Sequence, residues 1–217
     1  MHKPRQNGSF TVPESGNFLD QLDIYRSAYE KLETPRKHDL RIQLLDLGKQ
    51  VRCGTRTWVR QDLDDIAHWK GLPEPMLMIQ KNSQDLEDRL AHTLSIVDET
   101  SRISALCEIR GMGPILASTL SMFTWPDSCG FLDHHTSNAL RFLGYEFPKK
   151  HYTSRFTVSQ LLTYLRTIRS LADSKIVSPM EIAEALCALD HMRMRNNWLD
   201  STGIIGSSPT MIEAKDF

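Results

Sequence analysis

Residues 103–145 read ISALCEIRGMGPILASTLSMFTWPDSCGFLDHHTSNALRFLGY and contain start and stop signals for three helices. Apolar residues at helical spacing predict a first helix that ends at Gly111. Proline is favourable at the first position of a helix, so we expect a second helix to begin at Pro114. Asp133 is a typical N-cap for a third helix, which Gly144 is expected to end.

The turn between the first two helices is the feature most suggestive of a binding site. We call it the hairpin, and its residues are Gly111, Met112, Gly113, Pro114 and Ile115. Two glycines two positions apart permit positive φ and a close backbone approach. The N–H groups at the start of the second helix lack partners inside it, so they could bind a nucleic-acid phosphate without a lysine. The same pattern also suits an ordinary turn between two helices.

Helical periodicity also covers most of the chain outside this stretch. One of the additional helices is predicted by the apolar spacing of Leu86, Leu90 and Val97. Capping boxes begin at Thr157 and at Ser178. No run of alternating β-type residues occurs, so the sequence predicts an all-α protein of roughly nine or ten helices.

The two ends of the chain lack this periodicity. The chain has 217 residues, of which 40% are hydrophobic and 24% charged, as in ordinary globular proteins. We expect flexible tails at residues 1–16 and 200–217. Residues 17–199 are expected to form one helical domain.

The compartment is predicted from what the sequence lacks. No apolar run is long enough for a transmembrane helix, and the first residues lack the apolar core of a secretory signal. The four cysteines stand singly, so neither a zinc ribbon nor a disulfide framework is expected. These features favour a reducing intracellular compartment, either the cytoplasm or the nucleoid or nucleus, without membrane association.

Charge is balanced overall and uneven along the chain. The formal net charge is −1, which gives no support for nucleic-acid binding by itself. Residues 61–108 contain ten acidic and four basic residues, whereas residues 141–169 contain six basic residues and one acidic residue. The basic region could face phosphates, or the two regions could be solvated surfaces of opposite sign.

The order of features in residues 103–145 resembles the helix-hairpin-helix DNA glycosylase superfamily. The matching residues are Gly111, Gly113, Ala117, Pro126, Asp133, His135, Leu143 and Gly144. The resemblance is strong over this stretch and loose over residues 83–195. It implies two helical lobes, with a cleft between an N-terminal helical lobe and a hairpin lobe at about residues 83–195.

The resemblance also implies a reaction, excision of a damaged or modified base from DNA with Asp133 as the catalytic residue. Breaking the N-glycosidic bond leaves positive charge on the sugar, which a nearby carboxylate stabilises. The same carboxylate could orient a water as general base, once the nucleotide has left the base stack. Asp133 also stands where an N-cap belongs, a role worth about 0.5–2 kcal/mol by itself.

Two departures from the family limit what is implied. Bifunctional members carry a lysine nucleophile just after the hairpin glycines, and the matching residue here is Ile115. Because an imine requires an amine, the resemblance implies a monofunctional enzyme without lyase activity at that position. The four-cysteine iron–sulfur loop of some relatives is absent, and the histidines show no known metal-ligand spacing. No cofactor is expected, although the resemblance allows a structural monovalent cation at the hairpin.

Other side chains are candidates for contact with DNA or a flipped base. They are Trp69, Lys70, His135, Lys149, Lys150 and Arg155. Trp69 and Lys70 could stack a base and hold a phosphate, or they could be a core tryptophan and a cation favoured at a helix C-terminus. The basic stretch that includes Lys149 either contacts the DNA backbone or is a solvated loop.

Two further functions fit the sequence. A non-catalytic helix-hairpin-helix DNA-binding protein, or a subunit of a repair or defence assembly, would use the hairpin but not Asp133. A helical protein–protein adaptor would use neither, and it would show no salt-dependent affinity for DNA.

Overall fold

The computed structural model describes residues 18–73, 78–79, 81, 85–148 and 155–202, and it confirms the all-α prediction. These residues form nine α-helices and contain no β-strand. The helices are α1 Leu22–Leu32, α2 Pro35–Arg52, α3 Arg60–Lys70, α4 Leu86–Leu94, α5 Glu99–Glu108, α6 Pro114–Thr124, α7 His134–Phe142, α8 Val158–Asp173 and α9 Pro179–Thr202, with a short 3-10 helix Leu19–Gln21 before α1. The predicted tail at 1–16 lies outside the described residues, whereas α9 continues past the predicted boundary at residue 199.

Helix α6 lies at the centre of the fold. It contacts α2, α3, α5 and α8, and every residue from Leu116 to Thr124 is buried. The hydroxyls of Ser118 and Thr119 are satisfied within the helix, since both donate to the carbonyl of Ile115, at 2.7 and 2.8 Å. A helix without charged residues and with hydroxyls bonded in this way can be enclosed at little polar cost, although the buried Ser121 Oγ of α6 has no partner among the described residues.

Helix α9 organises the other side of the core, where it packs against α1, α7 and α8. Its start is the predicted capping box, because the Ser178 N–H donates to the Glu181 carboxylate at 2.7 Å and the Glu181 N–H donates to Ser178 Oγ at 3.2 Å. The capping box at Thr157 is likewise confirmed at the start of α8. These local signals therefore fix where the long C-terminal helices begin.

One predicted helix is shorter than expected. Helix α4 ends at Leu94, and Val97, which was expected on its apolar face, is 95% exposed. Ser95 Oγ donates to the His92 carbonyl at 2.7 Å, and the Asp98 carboxylate accepts from the Ser101 N–H to cap α5. The hydrogen bonds of Ser95 and Asp98 to the backbone therefore end α4 and start α5, although the apolar spacing alone would extend α4 to Val97.

The loop between α6 and α7 returns along α6. Its Leu132 N–H donates to Ser118 Oγ at 2.9 Å, and Tyr164 Oη on α8 donates to the Phe131 carbonyl at 2.7 Å. The loop is therefore held against two helices immediately before Asp133.

None of the helices within the described ranges is both long and apolar enough to cross a bilayer.

Candidate functional site

The hairpin connects α5 to α6 as predicted, with one difference in backbone conformation. Gly111 has φ +89°, in the left-handed region that favours glycine, and the Met112 N–H donates to the Ile109 carbonyl at 2.9 Å. Gly113, however, is extended, with φ −69° and ψ 176°. The backbone conformation therefore favours glycine at Gly111 only, because other residues readily adopt the extended conformation found at Gly113.

The second glycine leaves the start of α6 accessible. Gly113 is the N-cap of α6, no side chain caps the first turn there, and a Cβ built on Gly113 would have no heavy atom within 4 Å. Met112 is fully buried, and Pro114 and Ile115 are half-buried, so the turn is anchored while its backbone faces outward. Uncapped N–H groups at a helix N-terminus favour an anion.

Asp133 is the N-cap of α7, as the sequence predicts. Its Oδ1 accepts from the Thr136 N–H at 2.8 Å, and Thr136 Oγ1 accepts from the Asp133 N–H at 3.0 Å. The preceding residue, Leu132, is bonded to Ser118, which is five residues along α6 from Gly113. At 1.5 Å per residue, this attachment lies about 7.5 Å along the α6 axis from Gly113.

Lys70 brings a cation to the other oxygen of this carboxylate. Its Nζ donates to Asp133 Oδ2 at 2.5 Å, and Nζ lies 3.6 Å from the centroid of the Phe131 ring. The two side chains are each 9% exposed. Asp133 therefore has one oxygen bound to a helix N-terminus and the other covered by an ammonium group.

This environment keeps Asp133 ionised. Burial alone would raise the pKa of the Asp133 carboxyl, but the Lys70 charge and hydrogen bond, the charge of His135 and the Thr136 N–H together lower it to about 2. At neutral pH the pair is thus a carboxylate against a cation, held over an aromatic ring.

A second acid–base pair lies beside the first. His135 Nδ1 is 2.8 Å from Asp190 Oδ2, and the other Asp190 oxygen accepts from Arg193 at 2.8 Å. The His135 ring lies 3.9 Å from the rings of both His134 and His191, measured between centroids. Burial of Asp190 would raise its pKa, but the hydrogen bonds from His135 and Arg193 lower it. His135 is therefore held by α9 at the start of α7, next to Asp133.

The other candidate DNA contacts have different surroundings. Trp69 is 4% exposed and packs edge-on against Phe123 and Phe131, while its Nε1 donates to Glu33 Oε1 at 3.2 Å. The Trp69 ring thus has the environment of a core residue. Arg155 is exposed. Lys149 and Lys150 lie outside the described residues.

Trp69 also leads to a buried ionic network. Glu33 accepts from Arg41 at 3.0 Å, and Arg41 donates to Glu184 at 2.8 Å. Burial raises the pKa of Glu184 to about 7, against the lowering effect of Arg41. These residues join the end of α1 to α2 and α9, and Trp69 connects α3 to the same network immediately before Lys70.

Two surface grooves are found away from Asp133. One, of about 490 Å³, is lined by α1 and Met192, and the other, of about 310 Å³, lies among the ends of α2, α4 and α6. Neither contains Asp133 or a hairpin residue. In the described part of the chain, no group of three or more His, Cys, Asp or Glu residues could hold a metal ion.

Comparisons with protein-family models, with curated proteins and with solved structures give no match for this chain. The resemblance to the helix-hairpin-helix glycosylases therefore stays a prediction that rests on the residues of the hairpin and α7.

Lys70 and His135 were predicted from the sequence as candidates, but their partners were not. Lys70 is 63 residues from Asp133, and His135 is 55 residues from Asp190. Neither pairing has a local sequence signal, since helical periodicity marks which face is buried and not which helix covers it. The nearest available signal is a charged residue at the end of an otherwise apolar helix face, as Lys70 is in α3.

Proposed function

We propose that this protein is a DNA N-glycosylase that removes a damaged or modified base by hydrolysis, with Asp133 as its catalytic residue. The observation that carries the proposal is the position of an ionised, N-capping Asp133 on a loop attached to α6 one to two turns from the hairpin. We propose that the hairpin backbone binds a phosphate and that Asp133 acts on a nucleotide next to it.

Asp133 would act on the sugar. Departure of the base leaves an oxocarbenium-like sugar, whose positive charge a carboxylate at this position would stabilise. The Thr136 N–H bond fixes one oxygen, so Oδ2 is the atom that would face the sugar or orient the attacking water. Hydrolysis requires no amine at Ile115.

The hairpin would hold the DNA. Its uncapped N–H groups and the open space beside Gly113 allow a phosphate oxygen to approach the backbone. Glu108 and Arg110, both exposed, flank the turn with opposite charges, so the backbone has to supply most of the attraction there. A flipped nucleotide next to this phosphate would come within reach of Asp133.

The reaction requires Lys70 to leave Asp133 Oδ2. Asp133 is 6% exposed and Lys70 covers it, so a sugar can approach the carboxylate only after the ammonium has moved. Lys70 is the last residue of α3, with exposed Gly71 after it, and a four-carbon side chain can change rotamer there without movement of the helix.

The test is base release from duplexes that each carry one lesion or natural modification, scored as alkali-labile abasic sites. We expect the wild-type chain to produce abasic sites on at least one duplex, and Asp133→Asn to lower the rate at least about a hundredfold. Asn still caps a helix, so α7 should begin normally. The matched control is Asp127→Asn, the same change at an exposed side chain of the same loop.

Both comparisons require folded protein. Circular dichroism at the assay temperature should therefore show the same helix content in Asp133→Asn and Asp127→Asn as in the wild type. DNA binding by the wild-type chain without base release from any duplex would contradict the glycosylase. An unchanged rate in folded Asp133→Asn would contradict the role of this residue.

A second function is favoured by the burial of Asp133. Both of its oxygens already have partners, Thr136 and Lys70, as expected of a structural acid in a non-catalytic helix-hairpin-helix DNA-binding protein. In that case the Asp133→Asn protein would still bind DNA and would keep its function in cells. Gly113→Val, which places a branched side chain where a phosphate would approach, would abolish binding in both cases.

A further inference from the structure

Two aromatic side chains are exposed at the C-terminal end of α7, the end farther from Asp133. Phe142 and Tyr145 are 38% and 39% exposed, whereas every other Phe, Tyr or Trp side chain in the described part of the chain is buried or half-buried. A single exposed apolar residue is ordinary, but both exposed rings lie within three positions of each other. This helix end is therefore the place where the described residues offer aromatic rings to a partner.

The backbone at this end of α7 is fixed by a glycine cap. Gly144 has φ +88°, in the left-handed region, and its N–H donates to the Arg141 carbonyl at 3.1 Å. The Tyr145 N–H donates to the Leu140 carbonyl, also at 3.1 Å. The cap holds Tyr145 against the last turn of the helix. It also satisfies carbonyl groups that would otherwise repel an anion.

Helix α9 brings cations to the same place. Arg193 Cζ lies 5.5 Å from the centroid of the Phe142 ring, and Arg193 Nη2 donates to Asp190 Oδ1 at 2.8 Å, which holds the guanidinium in position. Arg195 on α9 and Arg141 in the last turn of α7 are exposed. We call the two rings and the three cations the aromatic–arginine surface, which consists of Arg141, Phe142, Tyr145, Arg193 and Arg195.

The charge of this surface favours an anionic partner. Arginine stays protonated at any pH at which proteins are folded, and Glu146 is the exposed acid beside the rings. Asp190 is fully buried and is already bound by Arg193 and a histidine. The neighbouring His134 and His191 are mostly neutral at pH 7, because burial lowers the pKa of both rings. The three arginines therefore exceed the single exposed acid.

Exposed rings beside arginines are the combination that binds single-stranded nucleic acid, since unpaired bases stack on rings and phosphates bind cations. In a duplex, the faces of an interior base are covered by its neighbours in the stack. We propose that the aromatic–arginine surface binds single-stranded DNA, with bases on Phe142 and Tyr145 and phosphates on the arginines. The inference rests on the proposed function, because it takes the bound strand to adjoin the nucleotide at Asp133.

The length of α7 fits a strand that runs between the two sites. Phe142 is nine residues from Asp133, which is about 13.5 Å along the helix axis at 1.5 Å per residue. One DNA strand advances about 3.4 Å per nucleotide, so about four nucleotides cover this distance. His135, next to Asp133, and Arg193, next to Phe142, bind the same carboxylate of Asp190. One residue of α9 thus connects the two ends of the path.

The test uses the full chain and a fluorescent oligothymidylate of about 15 nucleotides, within the site size of single-strand binding proteins. This probe has no lesion and no complementary strand, so base release plays no part in the measurement. Fluorescence anisotropy should show that Phe142→Ala and Tyr145→Ala each weaken binding at least about fivefold, because a base loses its stacking partner. Ile42→Ala, at an exposed side chain of α2, is the matched control and should bind as the wild type does.

The arginines are tested by the salt dependence of the same binding. Each phosphate contact that is lost should lower the slope of log affinity against log salt concentration by about 0.7 for a single strand. We expect this change in Arg141→Gln and in Arg195→Gln. Arg89→Gln, an exposed arginine on α4, which packs against α5, should keep the wild-type slope.

The wild-type chain supplies a readout that does not depend on the folding of any variant. Bromodeoxyuridine in place of thymidine crosslinks under ultraviolet light to aromatic side chains that it contacts, and mass spectrometry should locate the crosslinks on Phe142 or Tyr145. Crosslinks confined to other residues would overturn the inference, as would a wild-type chain without affinity for the oligonucleotide at low salt. Tighter binding of oligouridylate of the same length would overturn the assignment to DNA.

Failure of the proposed function gives a different result from failure of this inference. Crosslinks on the aromatic–arginine surface without base release from any lesion duplex would remove the glycosylase and keep the single-strand site. Base release from a lesion duplex with crosslinks only at other residues would do the reverse.

Discussion

At the scale of single residues, Asp133 combines two interactions of unequal weight. An N-cap contributes about 0.5–2 kcal/mol, whereas breaking a buried ion pair by removing one partner costs about 3–5 kcal/mol. The contact with Lys70 therefore dominates what Asp133 does for the folded state. Asparagine preserves the smaller interaction and removes the larger one, which is why folding has to be established separately from activity in that variant.

The pH dependence of stability near Asp133 has a contribution from His134. Burial, followed by the charge of His135, lowers the pKa of His134 from 6.5 to about 4. The unfolded chain therefore binds a proton at this ring at a higher pH than the folded chain does. The contribution to stability is complete above about pH 6.5 and is lost as the pH falls toward 4, by at most about 1.4 kcal/mol per pH unit.

We expect His134→Gln to lose less stability than the wild type between pH 7 and pH 4.5, measured as the midpoint of urea unfolding. His92→Gln, on the exposed face of α4, should keep the wild-type dependence. Equal pH dependence in the wild type and His134→Gln would mean that His134 is protonated equally in the folded and unfolded chains.

At the scale of helices, the sequence predicted the features that depend only on neighbouring residues. Caps at Asp133, Thr157 and Ser178 depend on side chains that bond to the backbone three residues away, and all three are present. The prediction that α4 includes Val97 was wrong, because the helix ends before this residue, where Ser95 Oγ bonds to the His92 carbonyl. Helix partners were beyond reach, because the spacing of apolar residues does not say which helix covers which face.

The crossing of α2 and α6 depends on one small residue. A Cβ built on Gly48 would lie 1.9 Å from the carbonyl oxygen of Phe123, so alanine forces the two helices apart. We expect Gly48→Ala to lower the free energy of unfolding by about 3 kcal/mol, the upper end of the usual cost of overpacking. The measurement is equilibrium unfolding in urea.

Gly113→Ala is the matched control for this prediction, since its Cβ meets open space and its backbone is extended. It should change the free energy of unfolding by less than about 1 kcal/mol. Equal stability of Gly48→Ala and the wild type would show that α2 and α6 are not in such close contact.

At the scale of the whole molecule, the candidate site is assembled from distant segments. α3 supplies Lys70, the loop after α6 supplies Phe131 and Asp133, and α9 supplies Asp190. The sequence identified the hairpin and the acid because both lie in one continuous stretch. It did not identify the closed ion pair, which depends on how α3 packs on the core. With a net charge of −1, the overall field of the chain would not attract DNA, so the proposed DNA binding depends on local features.

The central claim is that the hairpin and Asp133 face the same stretch of DNA. It is tested most directly by the amide NMR spectrum of the full chain, titrated with a duplex that contains one tetrahydrofuran site. The account predicts that the largest shifts fall on Gly113 and Ile115 of the hairpin and on Thr136, whose N–H is bonded to Asp133. Bound DNA that leaves these three amides unchanged and shifts the α1 groove around Ile24 and Ser27 would contradict it.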